Sequence, residues 1–282
     1  MLYRTGIPST VGEMLGEEKY RFIRECGFDC IDYRMINTKD DVLYSCDFDE
    51  FCARLAKERE LIEGAGLKVW QVHGPWQWPI TDGRRGGREE RLEKMSRSIR
   101  GAAILDAPFW VVHPFMPHGI SDKKSGKTEQ TRAANVSFFK ELLKVADEVG
   151  VTICLENMPF PDFSLSTPEE IMSIVREINH PNFKMCLDTG HLTVFEGWTP
   201  ARAMREYHRD IATLHVHDND GKSDTHRCVY YGVIDWSDFG NAIKEVGWDG
   251  VISLETSPSA GLPCEIYRKM LKLYREIAAS IV

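Results

Sequence analysis

The 282-residue chain is 43% hydrophobic and 28% charged, with a net charge of −8 and a sequence pI near 5.6. That length supports a large core, the acidic balance lacks the basic face that a nucleic-acid partner requires, and no apolar run approaches the ~20 residues needed to span a bilayer. Eight cysteines without a CxxC pair, and a start (Met1-Leu-Tyr-Arg-Thr-Gly) with no apolar leader core, predict reduced thiols and a cytoplasmic location.

Taken in order, the chain alternates short apolar strands with amphipathic helices. The pattern predicts a strand at Leu2–Ile7, a helix from Glu13 to Cys26 stopped by Gly27, and a strand at Asp29–Arg34. A helix follows at Phe48–Gly64, then a strand at Lys68–His73, a charged helix at Glu89–Leu105 and a strand at Phe109–His113. A polar Ser/Lys/Gly loop (119–127) leads into a helix at Gln130–Val149 and a strand at Val151–Asn157. Ser166-Thr167-Pro168-Glu169-Glu170 reads as a helix start: a capping residue, proline in the first turn, and acids against the helix dipole. Strands at Phe183–Asp188, Thr213–Asp218 and Val251–Thr256 alternate with helices opening at Thr199-Pro200, at Asp235-Trp236 and at about Cys264. Eight βα units predict an α/β chain folded as one (β/α)₈ TIM barrel over residues 1–282, ahead of an open doubly wound sheet.

Side chains alternate between the faces of a strand, so the period of two assigns each polar residue to a side. Glu156, Asp188, His215 and Glu255 oppose Leu155, Leu187, Leu214 and Leu254; His73 and His113 oppose Val72 and Val112. Large apolar residues suit an outer face covered by helices, so these six polar side chains are expected to converge at the carboxyl-end mouth. Carboxylates gathered there without counter-charge would repel one another, and one divalent cation resolves the conflict. Three carboxylates and one imidazole suit Mn²⁺, Mg²⁺, Co²⁺ or Fe²⁺, with Zn²⁺ also admissible. The competing reading for the four is buried ion pairing; for His73 and His113 it is hydrogen bonding along a pocket wall.

Several stretches together resemble the xylose-isomerase-like TIM-barrel superfamily of sugar phosphate isomerases and epimerases. They are Val72-His73-Gly74-Pro75, Val112-His113-Pro114, Leu155-Glu156-Asn157, Leu187-Asp188-Thr189-Gly190-His191, Leu214-His215-Val216-His217-Asp218-Asn219-Asp220, Asp224-Thr225-His226, Tyr231-Gly232-Val233-Ile234-Asp235-Trp236 and Leu254-Glu255. The resemblance implies one divalent metal, Mn²⁺ foremost, on Glu156, Asp188, His215 and Glu255, with Glu156 and Glu255 doubling as acid and base. It implies substrate contact by His191. The substrate is expected to be a small keto-sugar or sugar phosphate, with a metal-dependent lyase or dehydratase on a keto-inositol as the alternative. The resemblance extends to endonuclease IV, a three-zinc phosphodiesterase. Its nine ligand types have counterparts in His73, His113, Glu156, Asp188, His191, His215, Asp224, His226 and Glu255, although the acidic net charge is unsuited to DNA.

The arginine that ketose 3-epimerases carry after the seventh strand is replaced by Gly221-Lys222-Ser223, leaving Lys222, His226 or Arg227 as substitutes. Further substrate contacts are expected from His73, His113, His226 and the lid candidate Trp76 beside Trp78. Asp224 and His226 are read as a loop-closing or substrate pair, or a second metal pair, and His217 as loop packing or part of the mouth. Arg84, Arg85, Arg88 and Arg91 read as a solvated helix start or a phosphate contact. A homo-oligomer is allowed, and no membrane partner is expected.

Overall fold

Parallel neighbours in a sheet need a crossover long enough to return the chain to the same edge, and a helix supplies it. The computed structural model describes residues 4–36, 42–75 and 87–282. Its strands are β1 (Arg4–Pro8), β2 (Cys30–Arg34), β3 (Lys68–His73), β4 (Phe109–Val112), β5 (Thr152–Glu156), β6 (Phe183–Asp188), β7 (Ile211–His215) and β8 (Val251–Ser253). The α-helices among the described residues are α1 (Lys19–Glu25), α2 (Val42–Ser45), α3 (Phe48–Gly64), α4 (Gly87–Ile104), α5 (Thr128–Val149), α6 (Pro168–Ile178), α7 (Pro200–Tyr207), α8 (Trp236–Val246) and α9 (Cys264–Ser280).

All eight strands are parallel and run β7-β6-β5-β4-β3-β2-β1-β8. The ring closes just past the strand ends, where Val216 N donates to the Ser253 carbonyl at 2.8 Å and Glu255 N to the Val216 carbonyl at 2.9 Å. The chain is therefore a single-domain (β/α)₈ barrel, as the count of eight predicts.

The period-two reading holds in the packing. Ile153, Leu155, Met185, Leu187, Leu214 and Ile252 are fully buried in the core between strands and helices. Each such aliphatic side chain contributes about 1.5–3 kcal/mol by leaving water. The opposite phase forms a small separate core inside the barrel: Val111, Cys154 and Cys186, with Phe109 and Ala212 against them. Above it Thr213 Oγ donates to Gln71 across the ring. The barrel is thus plugged below and polar above.

Helix starts follow the expected chemistry. Asp47, Thr199 and Asp235 each accept a hydrogen bond from the third residue of the helix they precede. Thr167 forms a reciprocal capping box with Glu170. Several boundaries differ from expectation, among them β7, which spans Ile211–His215 and not Thr213–Asp218. The helix expected over 13–26 is broken at Gly16, whose φ of 56° and ψ of −130° are not helical, so a 3-10 segment (Glu13–Glu18) precedes α1. The last strand is three residues long, because only β1 pairs with it over a run and β7 reaches it through one bridge.

Candidate functional site

Four strand ends carry the centre. Glu156 closes β5, Asp188 closes β6, His215 closes β7, and Glu255 follows β8 by two residues. Glu156, Asp188 and His215 are at most 1% exposed. Their donor atoms and that of Glu255 all lie within 4.8 Å of one another. His215 is the hub: its Nδ1 lies 2.8 Å from Glu156 Oε1 and 3.4 Å from Glu255 Oε2. Glu156 Oε2 and Glu255 Oε2 are buried without any hydrogen-bond partner. A buried, unpartnered carboxylate oxygen is costly, and two of them beside the donor atoms of Asp188 and His215 make a donor set complementary to a divalent cation. Hard oxygens with one nitrogen fit the ions expected from the sequence.

Around this centre lie two further groups. His73 Nε2 is 3.6 Å and His113 Nε2 is 3.2 Å from Glu156 Oε2. His73 Nδ1 lies 2.9 Å from the carbonyl of Gly74, which fixes the ring with Nε2 towards the carboxylate. On the other side His191, His217, Asp224 and His226 gather their donor atoms equally closely. His191 Nδ1 lies 2.7 Å from the Asn157 carbonyl, and its Nε2 3.3 Å from Asp224 Oδ2. His226 Nε2 lies 3.1 Å from the same Asp224 oxygen. Asn157 ties the strands together by donating to the Asp188 carbonyl and accepting from the Asp188 amide.

The charge balance follows from these distances. Burial opposes ionisation of Glu156, but His215 and His113 outweigh it and hold the carboxyl well below the usual range. Burial likewise opposes ionisation of Glu255, and His215 and Arg34 override it. Burial works against a charged His191, yet Asp188, Asp224 and Glu156 push it up to about 10. His226 follows, raised to about 9 against burial by Asp224 and Glu255. The carboxylates thus raise the imidazoles His191 and His226, and the imidazoles in turn lower the carboxylates.

All the expected mouth residues within the described segments are brought together, and all except Asp188 and His215 line one cavity of about 690 Å³. Trp76, Trp78, Arg84 and Arg85 lie outside the described residues. His217 proves part of the mouth: its Nε2 is 3.0 Å from Asp188 Oδ2, and its ring stacks on His226 at 4.1 Å. Of the substitutes for the missing arginine, His226 reaches the cavity, whereas exposed Arg227 pairs with Asp220 at 3.3 Å. Arg88 pairs with Glu141, while buried Arg91 lines the cavity beside Phe115.

Sequence reasoning missed two residues, both on β2. Asp32 and Arg34 point into the same mouth, with Asp32 Oδ2 3.3 Å from His215 Nε2 and Arg34 Nη2 2.5 Å from Glu255 Oε1. The signal was available: Cys30, Asp32 and Arg34 alternate with Ile31, Tyr33 and Met35 in the phase that identified the other strands.

Residues 20–277 match the family model described as xylose isomerase-like TIM barrel. Protein MJ1311 of Methanocaldococcus jannaschii is 31% identical over 212 residues, 71% of each chain. The D-psicose 3-epimerase of Ruminiclostridium cellulolyticum is 27% identical over 204 residues, 68% of this chain and 64% of that one. A solved D-tagatose 3-epimerase-like protein superposes over 99% of both chains with a TM-score of 0.74 and 27% identity.

Proposed function

The chain belongs to the xylose isomerase-like TIM-barrel family, and from that premise we propose that it is a divalent-metal-dependent isomerase or epimerase of a small keto-sugar or sugar phosphate. The observation that carries this reading is the convergence of Glu156, Asp188, His215 and Glu255, with one unpartnered buried oxygen on each glutamate. The named activities of the psicose and tagatose epimerase relatives support the substrate class.

A cation on these four residues, Mn²⁺ by preference, would polarise a substrate carbonyl and the adjacent hydroxyl and so acidify the C–H between them. Glu156 and Glu255 come from strands three apart in the ring and approach that carbon from different sides. One carboxylate takes the proton; the C–H pair moves into a carbon–carbon double bond while the carbonyl electrons move onto oxygen. The other, which must take up a proton from solvent against the pull of His215, returns it to the opposite face for epimerisation. Return at the neighbouring carbon, with the hydroxyl proton passing to the former carbonyl oxygen as its own oxygen becomes the new carbonyl, gives aldose–ketose isomerisation. Neither outcome changes the oxidation level of the whole molecule. His73, His113, His191 and His226 hold substrate oxygens along the cavity wall.

Incubation with a panel of ketoses and keto-inositols in D₂O tests this. Deuterium should enter beside the carbonyl as the new epimer or isomer forms, and Glu255→Gln should abolish both. Intact exchange in that variant removes Glu255 from the proton path, and loss of water from a keto-inositol identifies a dehydratase instead.

One observation favours a second reading. His73, His113, Glu156, Asp188, His215 and Glu255 lie in three overlapping groups, and His191, Asp224 and His226 lie with His217 in a separate fourth, so the mouth could hold more than one ion. This would suit a phosphodiesterase of the endonuclease IV type, with Asp224 and His226 in a further metal site. Three ions per purified chain and cleavage at abasic sites would establish it; one ion per chain supports the sugar enzyme.

A further inference from the structure

Asp32 is fully buried, and neither of its carboxylate oxygens has a hydrogen-bond partner of good geometry. Its surroundings are all members of the mouth. Oδ2 lies 3.3 Å from His215 Nε2 and 3.6 Å from Arg34 Nε. Arg34 turns its other arm to Glu255 Oε1 at 2.5 Å, and its backbone N–H is held by Ser9 Oγ at 3.0 Å. Since His215 Nδ1 faces Glu156 and Glu255, a closed ring runs Asp32, His215, Glu255, Arg34 and back to Asp32. The His215 ring is sandwiched in place by His73, stacked nearly parallel at 5.4 Å.

An imidazole with a carboxylate against one nitrogen carries its proton there and presents a lone pair at the other; such outer partners set the tautomer and basicity of metal-binding histidines. A guanidinium offers donors in a rigid fork that a lysine cannot reproduce. We infer that Asp32 and Arg34 are positioning residues of the candidate metal centre: Asp32 orients His215 with Nδ1 towards the glutamates, and Arg34 locks Asp32 and Glu255 into one frame. This inference rests on the metal-dependent reading above. A purely structural ion pair between β2 and β8 would need neither contact with His215 nor a carboxylate left without ordinary hydrogen bonds. It would instead predict that stability, and not ion affinity, responds to substitution.

The test is isothermal titration of metal-stripped protein with Mn²⁺, alongside thermal unfolding without metal. Asp32→Leu, which keeps the branched outline and removes the acceptors, should weaken Mn²⁺ binding about 10–100-fold, the usual effect of losing an outer partner. Its metal-free melting temperature should fall, because buried Arg34 and His215 lose a counter-charge, so the deciding readout is the Mn²⁺ affinity of the folded chain. Asp32→Asn, which keeps one acceptor oxygen, should recover part of the affinity. Arg34→Met should weaken Mn²⁺ binding and lower kcat more than it raises KM, and Arg34→Lys should restore neither fully. Wild-type affinity in Asp32→Leu overturns the inference alone; should that variant not fold, Asp32→Asn within twofold of wild type overturns it. A wild-type chain that binds no Mn²⁺, Mg²⁺, Co²⁺ or Zn²⁺ overturns the proposed function and this inference together.

Discussion

His217 is seated over Gly190, with its Nε2 3.0 Å from Asp188 Oδ2 and its ring filling the space where a side chain at residue 190 would stand. The glycine is there for close approach and not for a turn, since a Cβ would overlap three atoms of the His217 ring. Gly190→Ala must therefore displace His217, breaking its contact with Asp188 and its stack on His226. Overpacking of this kind costs roughly 1–3 kcal/mol, and denaturant unfolding should record it together with weaker Mn²⁺ binding. Gly64→Ala is the control, because a Cβ there meets nothing within 4 Å. Equal effects in the two variants would remove the close-approach account.

The second prediction concerns the ion itself. Glu156 and Glu255 each keep one buried oxygen without a hydrogen-bond partner within the four-residue cluster, so a cation has sites to gain only in the folded chain. At a free concentration one hundred times its dissociation constant, an ion stabilises by about 2.7 kcal/mol, which should raise Tm by roughly 5 °C or more. Calorimetry of stripped and Mn²⁺-loaded protein measures this, and chelator should reverse it. An identical Tm in both states would contradict the site.

How legible this site was depended on where its residues sit. Along β5, β6 and β7 the period of two fixed which side chain faces inward, so Glu156, Asp188 and His215 could be placed from their apolar neighbours alone. The same rule applies to Asp32 and Arg34, but Asp32 lies mid-strand, away from the carboxyl end where ligands are expected, and Arg34, although it closes β2, is a cation and not a metal-ligand type. Loop residues have no period. Asp224 and His226 reach the mouth through the path of 216–234, where Asn219 Oδ1 accepts from the amides of Thr225 and His226. The packing of His217 against Gly190 was illegible for a similar reason: the two residues are remote in sequence, and close approach across a barrel leaves no local trace.

That loop supplies the third prediction. Buried Asp218 accepts from the Trp236 indole N–H at 2.8 Å, from Asn219 N at 2.9 Å and from Ile234 N at 3.2 Å, while its backbone pairs with Arg227. It thereby anchors both ends of the segment that carries Asp224 and His226. Trp236→Phe keeps most of the packing and leaves a buried carboxylate oxygen short of a donor, at a cost of about 1–3 kcal/mol. The loop should loosen, so KM for a substrate ketose should rise more than kcat falls. Steady-state kinetics with urea unfolding checks both; a change in stability with unaltered KM would confine Trp236 to packing.

The cysteines give a test of the barrel interior that needs no substrate. Cys154 and Cys186 form its inner core with Val111, and burial pushes the Cys186 thiol up to about 12 and Cys154 well above its usual value. Nucleophilic attack needs the thiolate and access to reagent, and these two have neither. Cys264, at the start of α9, is exposed, and Cys46 and Cys52 are half-buried. A brief treatment of native protein with iodoacetamide at pH 8 should therefore label Cys264 first and leave Cys154 and Cys186 unmodified, as peptide mass spectrometry would show. Both should react within the same time once the chain is unfolded in guanidinium. Labelling of Cys154 or Cys186 in the native state, ahead of Cys264, would mean that the barrel interior opens to solvent and that its closed inner core is wrong.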